Sequence, residues 1–242
     1  MKFKYAKYTS NGGRAVNEDS LLVCQKDSRM LAAVADGLGG HGMGDVASGL
    51  VCRVAEECFE NNADNAGLTE KIYNEGQDAL FAKQKELRVS GKMRTTLNLL
   101  LADEGCVYLS HIGDSRTYYF KDKKLVKRTF DHSVPQMLAA AGQISESEIR
   151  FHEDRNRLLK VLGVEGQRPA FEVEKPIATE GNQQFLLCSD GFWELISEEQ
   201  MLLCLDEAEE PGLWLTNMVE LVSRNSRGRS TDNITAVAVW IY

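Results

Sequence analysis

The chain has 242 residues, of which 43% are hydrophobic and 26% charged, and its formal net charge is −8 at pH 7. This length fits one large domain with a sizeable core, and the negative charge argues against nucleic acid or an anionic membrane surface as the main partner. The six cysteines form no CxxC pair, which favours reduced thiols in a cytoplasmic protein. The polar start predicts no secretory signal, and no apolar stretch approaches the ~18 residues of a membrane span.

Short apolar segments between polar turns predict strands along most of the chain. Polar turns at 103–105 and 121–124 favour antiparallel hairpins. The expected strands cover residues 20–24, 31–35, 96–102, 106–112, 116–120, 171–177, 184–189 and 234–242.

Longer segments with apolar residues at helical spacing predict helices over 45–60 and 69–87. Ser197 and Gln200 form a capping box that opens another helix, and Pro211 starts the next. Hairpins combined with one-sided helices predict an α+β domain in which helices pack on sheet faces. No linker or repeat interrupts this pattern, so residues 1–242 are expected to form a single domain.

The pattern weakens between residues 131 and 159. A short apolar helix is expected over 134–141, followed by a charged helix that a second capping box, Ser145 with Glu148, opens. An excursion of this kind between strands usually lies on the surface as a flap or binding loop.

Two apolar runs each end in an Asp-Gly pair, at Asp36 and at Asp190, 154 positions apart. A carboxylate in this position lies at the rim of a sheet, and the following glycine lets backbone approach a ligand closely. Asp114 and Asp232 stand at the ends of other predicted strands. A single Asp-Gly pair is most simply a turn, but the whole set predicts a shared site for a hard cation.

Arg14, Glu18 and Asp19 lie just before the first strong strand. A set of oxygen ligands without Cys or His at ligand spacing favours Mg²⁺ or Mn²⁺ over zinc. Two such ions can activate a shared water for in-line attack on phosphorus, and the planar fork of Arg14 suits two phosphate oxygens. The pattern therefore indicates a metal-dependent reaction on a phosphate ester.

The chain resembles the bacterial branch of the metal-dependent protein phosphatases, type 2C. The resemblance rests on motifs that occur in order across nearly the whole chain: RAVNEDS, ADGLGGHGMGDVAS, HIGDSRTYYF, FDHSVPQML, RNRLLKVLG, CSDGFWELIS and STDNITAVAV. It implies a four-layer αββα sandwich, with two antiparallel β-sheets flanked by helices and a metal centre at one end. It also implies that the excursion at about 133–158 is a flap that shapes substrate access.

The resemblance also implies a role for each site residue. Asp36 matches the carboxylate that bridges two ions, and Gly37 matches a residue that offers its carbonyl to one of them. Arg14 matches the phosphate-binding arginine. The remaining matches are Glu18, Asp190 and Asp232 as ligands of the other ion, Asp19 as a residue acting through bound water, and Asp114 with Asp190 as a third, weaker metal position.

The chain departs from the family pattern at two places. Arg94 stands before the paired threonines where glycine is common, and we interpret it as a solvated surface residue or as a change to the backbone near the site. Leu38 follows the first Asp-Gly, where some members place a histidine as a proposed general acid. We interpret His41 as structural or indirectly supporting, His111 and His132 as hydrogen-bonded structural residues, and His152 as a surface residue of the flap.

The leading hypothesis is hydrolysis of phosphoserine and phosphothreonine in proteins by a metal-activated water at a binuclear Mg²⁺ or Mn²⁺ centre. A catalytically weak metal-binding module that recognises phosphoproteins is the alternative, and a phosphatase for small phosphate esters is a third. By resemblance, the partners are phosphorylated proteins, either the substrates of a bacterial Ser/Thr kinase or a phosphorylated regulator of a secretion or stress pathway. We expect a cytoplasmic monomer.

Overall fold

The protein is built from eleven strands, six α-helices and one 3-10 helix within the residues that this computed structural model describes, 2–38, 42–166 and 168–242. The strands are β1 (Phe3–Ser10), β2 (Asp19–Lys26), β3 (Arg29–Asp36), β4 (Leu97–Ala102), β5 (Cys106–Ile112), β6 (Arg116–Lys121), β7 (Lys124–Arg128), β8 (Glu172–Val173), β9 (Ile177–Ala178), β10 (Gln183–Cys188) and β11 (Ile234–Ile241). The α-helices are α1 (Gly44–Asn61), α2 (Leu68–Leu87), α3 (Val134–Ala140), α4 (Asp190–Trp193), α5 (Glu198–Asp206) and α6 (Pro211–Asn225), and the 3-10 helix is Glu146–Phe151.

The strands form two sheets in which every pairing is antiparallel. The first sheet has the order β1–β11–β10–β6–β7. The second has the order β2–β3–β4–β5–β8, with β9 also pairing with β5. The chain enters the second sheet at β2, crosses to the first sheet after β5, returns to the second sheet at β8 and β9, and ends in the first sheet with β10 and β11.

The central strands are apolar on both faces, which explains their uninterrupted hydrophobic runs. Along β3, Leu31 and Ala33 face the helices while Ala32 and Val34 face the other sheet. Because successive side chains of a strand point to opposite faces, one strand contributes to two apolar layers. The layer between the sheets also contains residues from β10 and β11, such as Leu187 and Val237.

Helices cover the outer face of each sheet. Residues of α1 and α2, including Val51 and Ile72, pack on the second sheet. Residues of α5 and α6, including Met201 and Trp214, pack on the first sheet. The predicted α+β sandwich of four layers is confirmed.

The structure differs from the expected elements at four places. Strands β1 and β7 were not expected, because both are edge strands whose lysines hide the apolar alternation. The single strand predicted over 171–177 is instead the two-residue strands β8 and β9, since Pro176 cannot donate to a strand ladder. The predicted charged helix after Ser145 is only the short 3-10 helix, although its capping box is present, and Asp190 begins the one-turn helix α4.

No helix in the described residues is long and apolar enough to cross a lipid bilayer.

Candidate metal centre

The β2–β3 hairpin places two carboxylates side by side at one end of the second sheet. Asp19 is the first residue of β2 and Asp36 the last of β3, and the register pairs them directly. Directly opposed residues have Cβ atoms about 4.5–5.5 Å apart, and like charges in that position repel. Asp19 is buried, whereas Asp36 is partly exposed to a cleft.

The first sheet brings two more carboxylates to the same end of the sandwich. Asp190 follows β10 after one residue, Asp232 precedes β11 by one residue, and the two strands are antiparallel neighbours. The hydroxyl of Ser189 connects the sheets, because it donates to Asp19 Oδ2 at 2.8 Å and accepts the N–H of Thr235 at 3.1 Å. The two distant Asp-Gly pairs therefore lie in one site.

A fifth carboxylate, Asp114, lies in the turn that connects β5 of the second sheet to β6 of the first. It is buried, and its carbonyl accepts a hydrogen bond from Trp193 Nε1 at 3.0 Å. The Trp193 ring lies 3.4 Å from the guanidinium carbon of Arg116, measured to the ring centroid. The position of Asp114 is thus set by both sheets and by α4.

The loop between β1 and β2 carries Arg14 and Glu18, and Asn233 holds this loop in place. The Asn233 side chain accepts the N–H of Glu18 at 2.9 Å and donates to the carbonyls of Asn11 and Val16 at 3.0 and 2.9 Å. Arg14 Nη2 donates to Asp232 Oδ2 at 2.8 Å, and the Arg14 side chain remains 56% exposed. Asn233 follows Asp232 in the sequence, so a segment near the C-terminus holds the N-terminal loop that carries Arg14 and Glu18.

Gly37 lies where three backbone segments meet. Its N–H donates to the Glu18 carbonyl at 3.1 Å. A Cβ at this position would lie 2.2 Å from the Gly44 carbonyl oxygen and 2.5 Å from the Glu18 carbonyl oxygen. Only glycine allows this approach, which brings the Glu18 loop and the start of α1 against the end of β3.

These side chains line an open cleft of about 620 Å³, here called the central cleft. Its lining consists of acidic residues, arginines, the two residues that follow β3 and a few residues from the segment after α3. They are Arg14, Glu18, Asp36, Gly37, Leu38, Arg94, Asp114, Asn156, Arg157, Leu158, Val161, Asp190 and Asp232.

The electrostatics of the cleft oppose ionisation of its carboxyls. Burial raises the pKa of Asp19 to about 7 and that of Asp190 to about 6. Burial also raises the pKa of Asp36 well above its ordinary value, and the charges of Asp19, Asp190, Asp114 and Asp232 add to the effect. Burial likewise raises the pKa of Asp114 well above its ordinary value, and the charge of Asp190 makes the largest contribution among its neighbours. Crowded carboxyls of this kind need a positive charge among them to ionise together.

Residues 11–211 match the sequence model of the family described as Protein phosphatase 2C. The chain belongs to the protein phosphatase 2C family. It is 30% identical over 249 residues to the serine/threonine phosphatase stp of Listeria monocytogenes, with 97% of this chain and 95% of that protein covered.

Solved structures of the family share the fold. The structure of the Mycobacterium tuberculosis serine/threonine phosphatase PstP/Ppp superimposes with a TM-score of 0.84 at 30% identity, covering 99% of this chain and 98% of that one. The catalytic domain of PstP in complex with two manganese ions superimposes with a TM-score of 0.83 at 28% identity, covering 99% of each chain.

The carboxylates of this protein phosphatase 2C chain suit a divalent metal. Oδ1 of Asp19 and Oδ1 of Asp190 are buried and have no hydrogen-bond partner among the described residues. A buried carboxylate oxygen without a donor is costly unless a cation fills the role. The donors are all oxygens, which Mg²⁺ and Mn²⁺ prefer.

Sequence reasoning missed the residues that hold the acidic ones. Thr96 accepts the N–H of Asp36 at 2.9 Å through its hydroxyl and donates its own N–H to the Asp36 carbonyl at 2.8 Å. Arg116 and Asp131 form a buried two-point ion pair, at 2.8 and 2.7 Å, beneath the Trp193 ring. These residues lie in the segments RTT, GDSR and FDH, but nothing in the sequence shows that Thr96 contacts Asp36 or that Arg116 contacts Asp131.

The sequence left two interpretations of Arg94 open, a solvated surface residue or a change to the backbone near the site, and the structure places it half-buried beside the site. It lines the central cleft, its Nε is buried without a partner among the described residues, and its carbonyl accepts the N–H of Leu38 at 3.0 Å.

His111 and His132 are hydrogen-bonded as expected, to the Phe130 carbonyl at 2.7 Å and to Glu172 at 2.9 Å. His152 is half-buried, and its Nδ1 accepts the N–H of Asp154 at 3.1 Å. His41 lies outside the described residues.

Proposed function

We propose that this protein hydrolyses phosphoserine and phosphothreonine esters in proteins, with Mg²⁺ or Mn²⁺ bound in the central cleft. The observation that carries the proposal is the convergence of five carboxylates, four aspartates and Glu18, on a cleft that also contains an exposed arginine. Membership of the protein phosphatase 2C family and the named serine/threonine phosphatases among its relatives support the same reaction.

The proposed metal ligands divide between the two sheets. Asp36 and the Gly37 carbonyl belong to the second sheet, and Asp190 and Asp232 to the first, so bound ions would also tie the sheets together. Glu18 completes this set, Asp19 acts through water, and Asp114 with Asp190 offers a third position. When bound, the ions supply the Lewis acidity that lowers the pKa of a water molecule and offset the charge of the phosphate.

Arg14 is the proposed phosphate-binding residue. Its ion pair with Asp232 is largely exposed, and exposed ion pairs contribute little to stability. Exchange of that carboxylate for two phosphate oxygens therefore costs little, and it places the ester beside Asp36 and Asp190.

We infer direct attack by water, without a phosphoenzyme, because a phosphoenzyme needs a side-chain nucleophile beside the phosphate. None of the described residues lining the central cleft is a cysteine, serine or histidine. Burial raises the pKa of the Cys24 thiol to about 11 and that of Cys52 to about 12, so both stay protonated and unreactive at neutral pH.

We propose a single domain over residues 1–242 whose segment at about 133–158 forms a flap over the cleft, and a cytoplasmic monomer in a bacterial signalling pathway. Its partners would be the substrates of a Ser/Thr kinase, with no nucleic acid or membrane among them. The net charge of −8 and six free cysteines support this setting.

The test compares Asp36→Asn and Asp190→Asn with a matched control, Asp27→Asn. Asp27 is exposed in the β2–β3 turn with φ of 54°, a conformation that asparagine also adopts. With Mn²⁺ and a phosphothreonine peptide, we expect each cleft variant to lose at least about 100-fold in turnover, since even indirect partners of metal ligands cost 10–100-fold. The control should keep full activity.

A chelator assay separates the alternatives. Turnover of p-nitrophenyl phosphate should stop with chelator and return with Mn²⁺. If the protein binds phosphopeptides but hydrolyses neither them nor p-nitrophenyl phosphate, it is a phosphoprotein-recognition module. If it hydrolyses p-nitrophenyl phosphate but no phosphopeptide, it is a phosphatase for small phosphate esters. Wild-type turnover in both cleft variants would rule out the metal centre.

A further inference from the structure

A second cleft of about 390 Å³ adjoins the central cleft and is here called the side groove. Both are lined by Arg14, Asn156, Asp190 and Asp232, so they open into each other beside the proposed phosphate-binding arginine. The side groove continues into a larger hollow of about 980 Å³, with which it shares Arg150, Phe151, Glu194, Leu195 and Arg229. One continuous depression therefore leads away from the metal centre.

Most of the charges along the side groove are paired with one another. Arg150 donates to Glu198 at 2.9 Å and to the Ile196 carbonyl at 2.9 Å. Arg155 contacts Glu194 at 3.2 Å. Arg14 pairs with Asp232, and both would be engaged by phosphate and metal in the proposed reaction.

Arg229 differs from these arginines. It is exposed and lines both the side groove and the larger hollow. Within residues 2–38, 42–166 and 168–242, no side-chain hydrogen bond or ion pair engages its guanidinium. A free guanidinium in a groove is a ready partner for a carboxylate or a second phosphate.

Exposed apolar side chains line the same hollows as the Arg229 guanidinium. Phe151, at the end of the 3-10 helix, is 70% exposed and lines the same two hollows. Phe130 is 58% exposed in the larger hollow, where Leu125 and Ile196 also lie. Large exposed aromatic side chains beside a groove are typical of contact surfaces for a polypeptide.

We propose that the side groove binds the polypeptide next to the phosphorylated residue, and that Arg229 selects substrates with an acidic side chain there. Phe151 would contact an apolar side chain of the same segment. This inference rests on the proposed function and adds its substrate class, acidic phosphopeptides. A protein of net charge −8 repels such peptides at long range, so their selection needs a local cation of this kind.

Arg229→Gln tests the inference, with Arg227→Gln as the matched control. Arg227 is exposed, lies two positions away and lines neither hollow. The probes are phosphothreonine peptides in which one residue beside the phosphothreonine is glutamate, alanine or lysine, and the measured quantity is the ratio of their kcat/KM values. Turnover of p-nitrophenyl phosphate, which has no polypeptide, reports on the metal centre alone.

We expect the wild type and the Arg227 variant to prefer glutamate over alanine at one or more positions by about three- to tenfold. Arg229→Gln should remove that preference, and Arg229→Glu should reverse it in favour of lysine. The preference should shrink as salt is added. Phe151→Ala should raise KM for the peptides.

The two proposals fail in different ways. An unchanged glutamate preference in Arg229→Gln, or no preference in the wild type, would overturn the side-groove inference while turnover of p-nitrophenyl phosphate leaves the metal centre standing. Loss of all turnover in the metal-loaded wild type would overturn both.

Discussion

At the scale of single residues, the metal centre depends on backbone contacts as much as on carboxylates. Gly37 shows this, because its Cα faces the carbonyl oxygens of Gly44 and Glu18 at distances that leave no room for a methyl group. Glycine also stands at position 191, where a Cβ would lie 2.1 Å from the Asn233 carbonyl oxygen. The glycine of each Asp-Gly pair therefore lets a neighbouring segment pack against the acidic residue.

Gly37→Ala is predicted to abolish metal-dependent turnover and to lower stability by at least about 1–3 kcal/mol, the usual cost of overpacking. The added methyl group must push Glu18 and the start of α1 away from Asp36. The measurement is Mn²⁺-dependent hydrolysis of p-nitrophenyl phosphate together with urea denaturation. Normal activity in this variant would show that the close contact is not needed.

At the scale of elements, helix α1 contains a glycine that no close contact requires. Gly49 lies inside this 18-residue helix, and a Cβ there would meet only the flexible end of Arg53 at 3.4 Å and Ser20 Oγ at 3.7 Å. Glycine within a helix costs about 0.5–1 kcal/mol relative to alanine.

Gly49→Ala is accordingly predicted to stabilise the protein by about 0.5–1 kcal/mol without changing turnover. Gly113→Ala is the contrasting control. Gly113 has φ of +107°, and its Cβ would lie 2.4 Å from Thr96 Cγ2, so this variant should be destabilised. Thermal unfolding of the two variants measures both effects, and a loss of stability in Gly49→Ala would contradict this account of α1.

At the scale of the whole molecule, the acidic centre opposes folding when no cation is present. Asp19 and Asp190 have pKa values near 7 and 6 in the folded protein, against an ordinary 3.8. Between about pH 4 and pH 7 the folded protein thus holds protons that the unfolded chain has released, so the free energy of unfolding falls as pH rises. Burial lowers the pKa of His132 to about 4, which opposes this trend below about pH 6.5.

We predict that in chelator the unfolding free energy of the wild type, measured relative to Asp190→Asn, decreases between pH 4 and pH 7. The comparison cancels the contribution of His132. Saturating Mn²⁺ should raise the wild-type Tm, and the increase should grow with pH because ionised carboxylates bind the ion. A pH-independent difference in chelator would show that Asp190 is not crowded by its neighbours.

Much of the local structure follows from patterns in the chain. The uninterrupted apolar runs at β3, β10 and β11 predicted buried strands, and the capping box of Ser197 and Gln200 is present at the start of α5. Strands β1 and β7 were not predicted because both lie at sheet edges, where their lysines hide the apolar alternation. The position of Asp36 at the end of β3, and of Asp190 just after β10, also followed from local sequence, since each Asp-Gly pair comes directly after an apolar run.

The sequence by itself determined which side chains were available for chemistry: acidic residues at strand ends, one arginine beside them, and no nucleophile in a phosphate-binding loop. Only the tertiary structure decided which of them meet, through the Asp19–Asp36 register and through Ser189 and Asn233, which connect residues 170 and 215 positions apart. It also decided that Arg94 faces the cleft and that the Arg229 guanidinium has no partner among the described residues. The physical reason is that hydrophobic patterning acts within an element, whereas carboxylate crowding, close backbone approach and charge pairing depend on contacts between elements that no local pattern records.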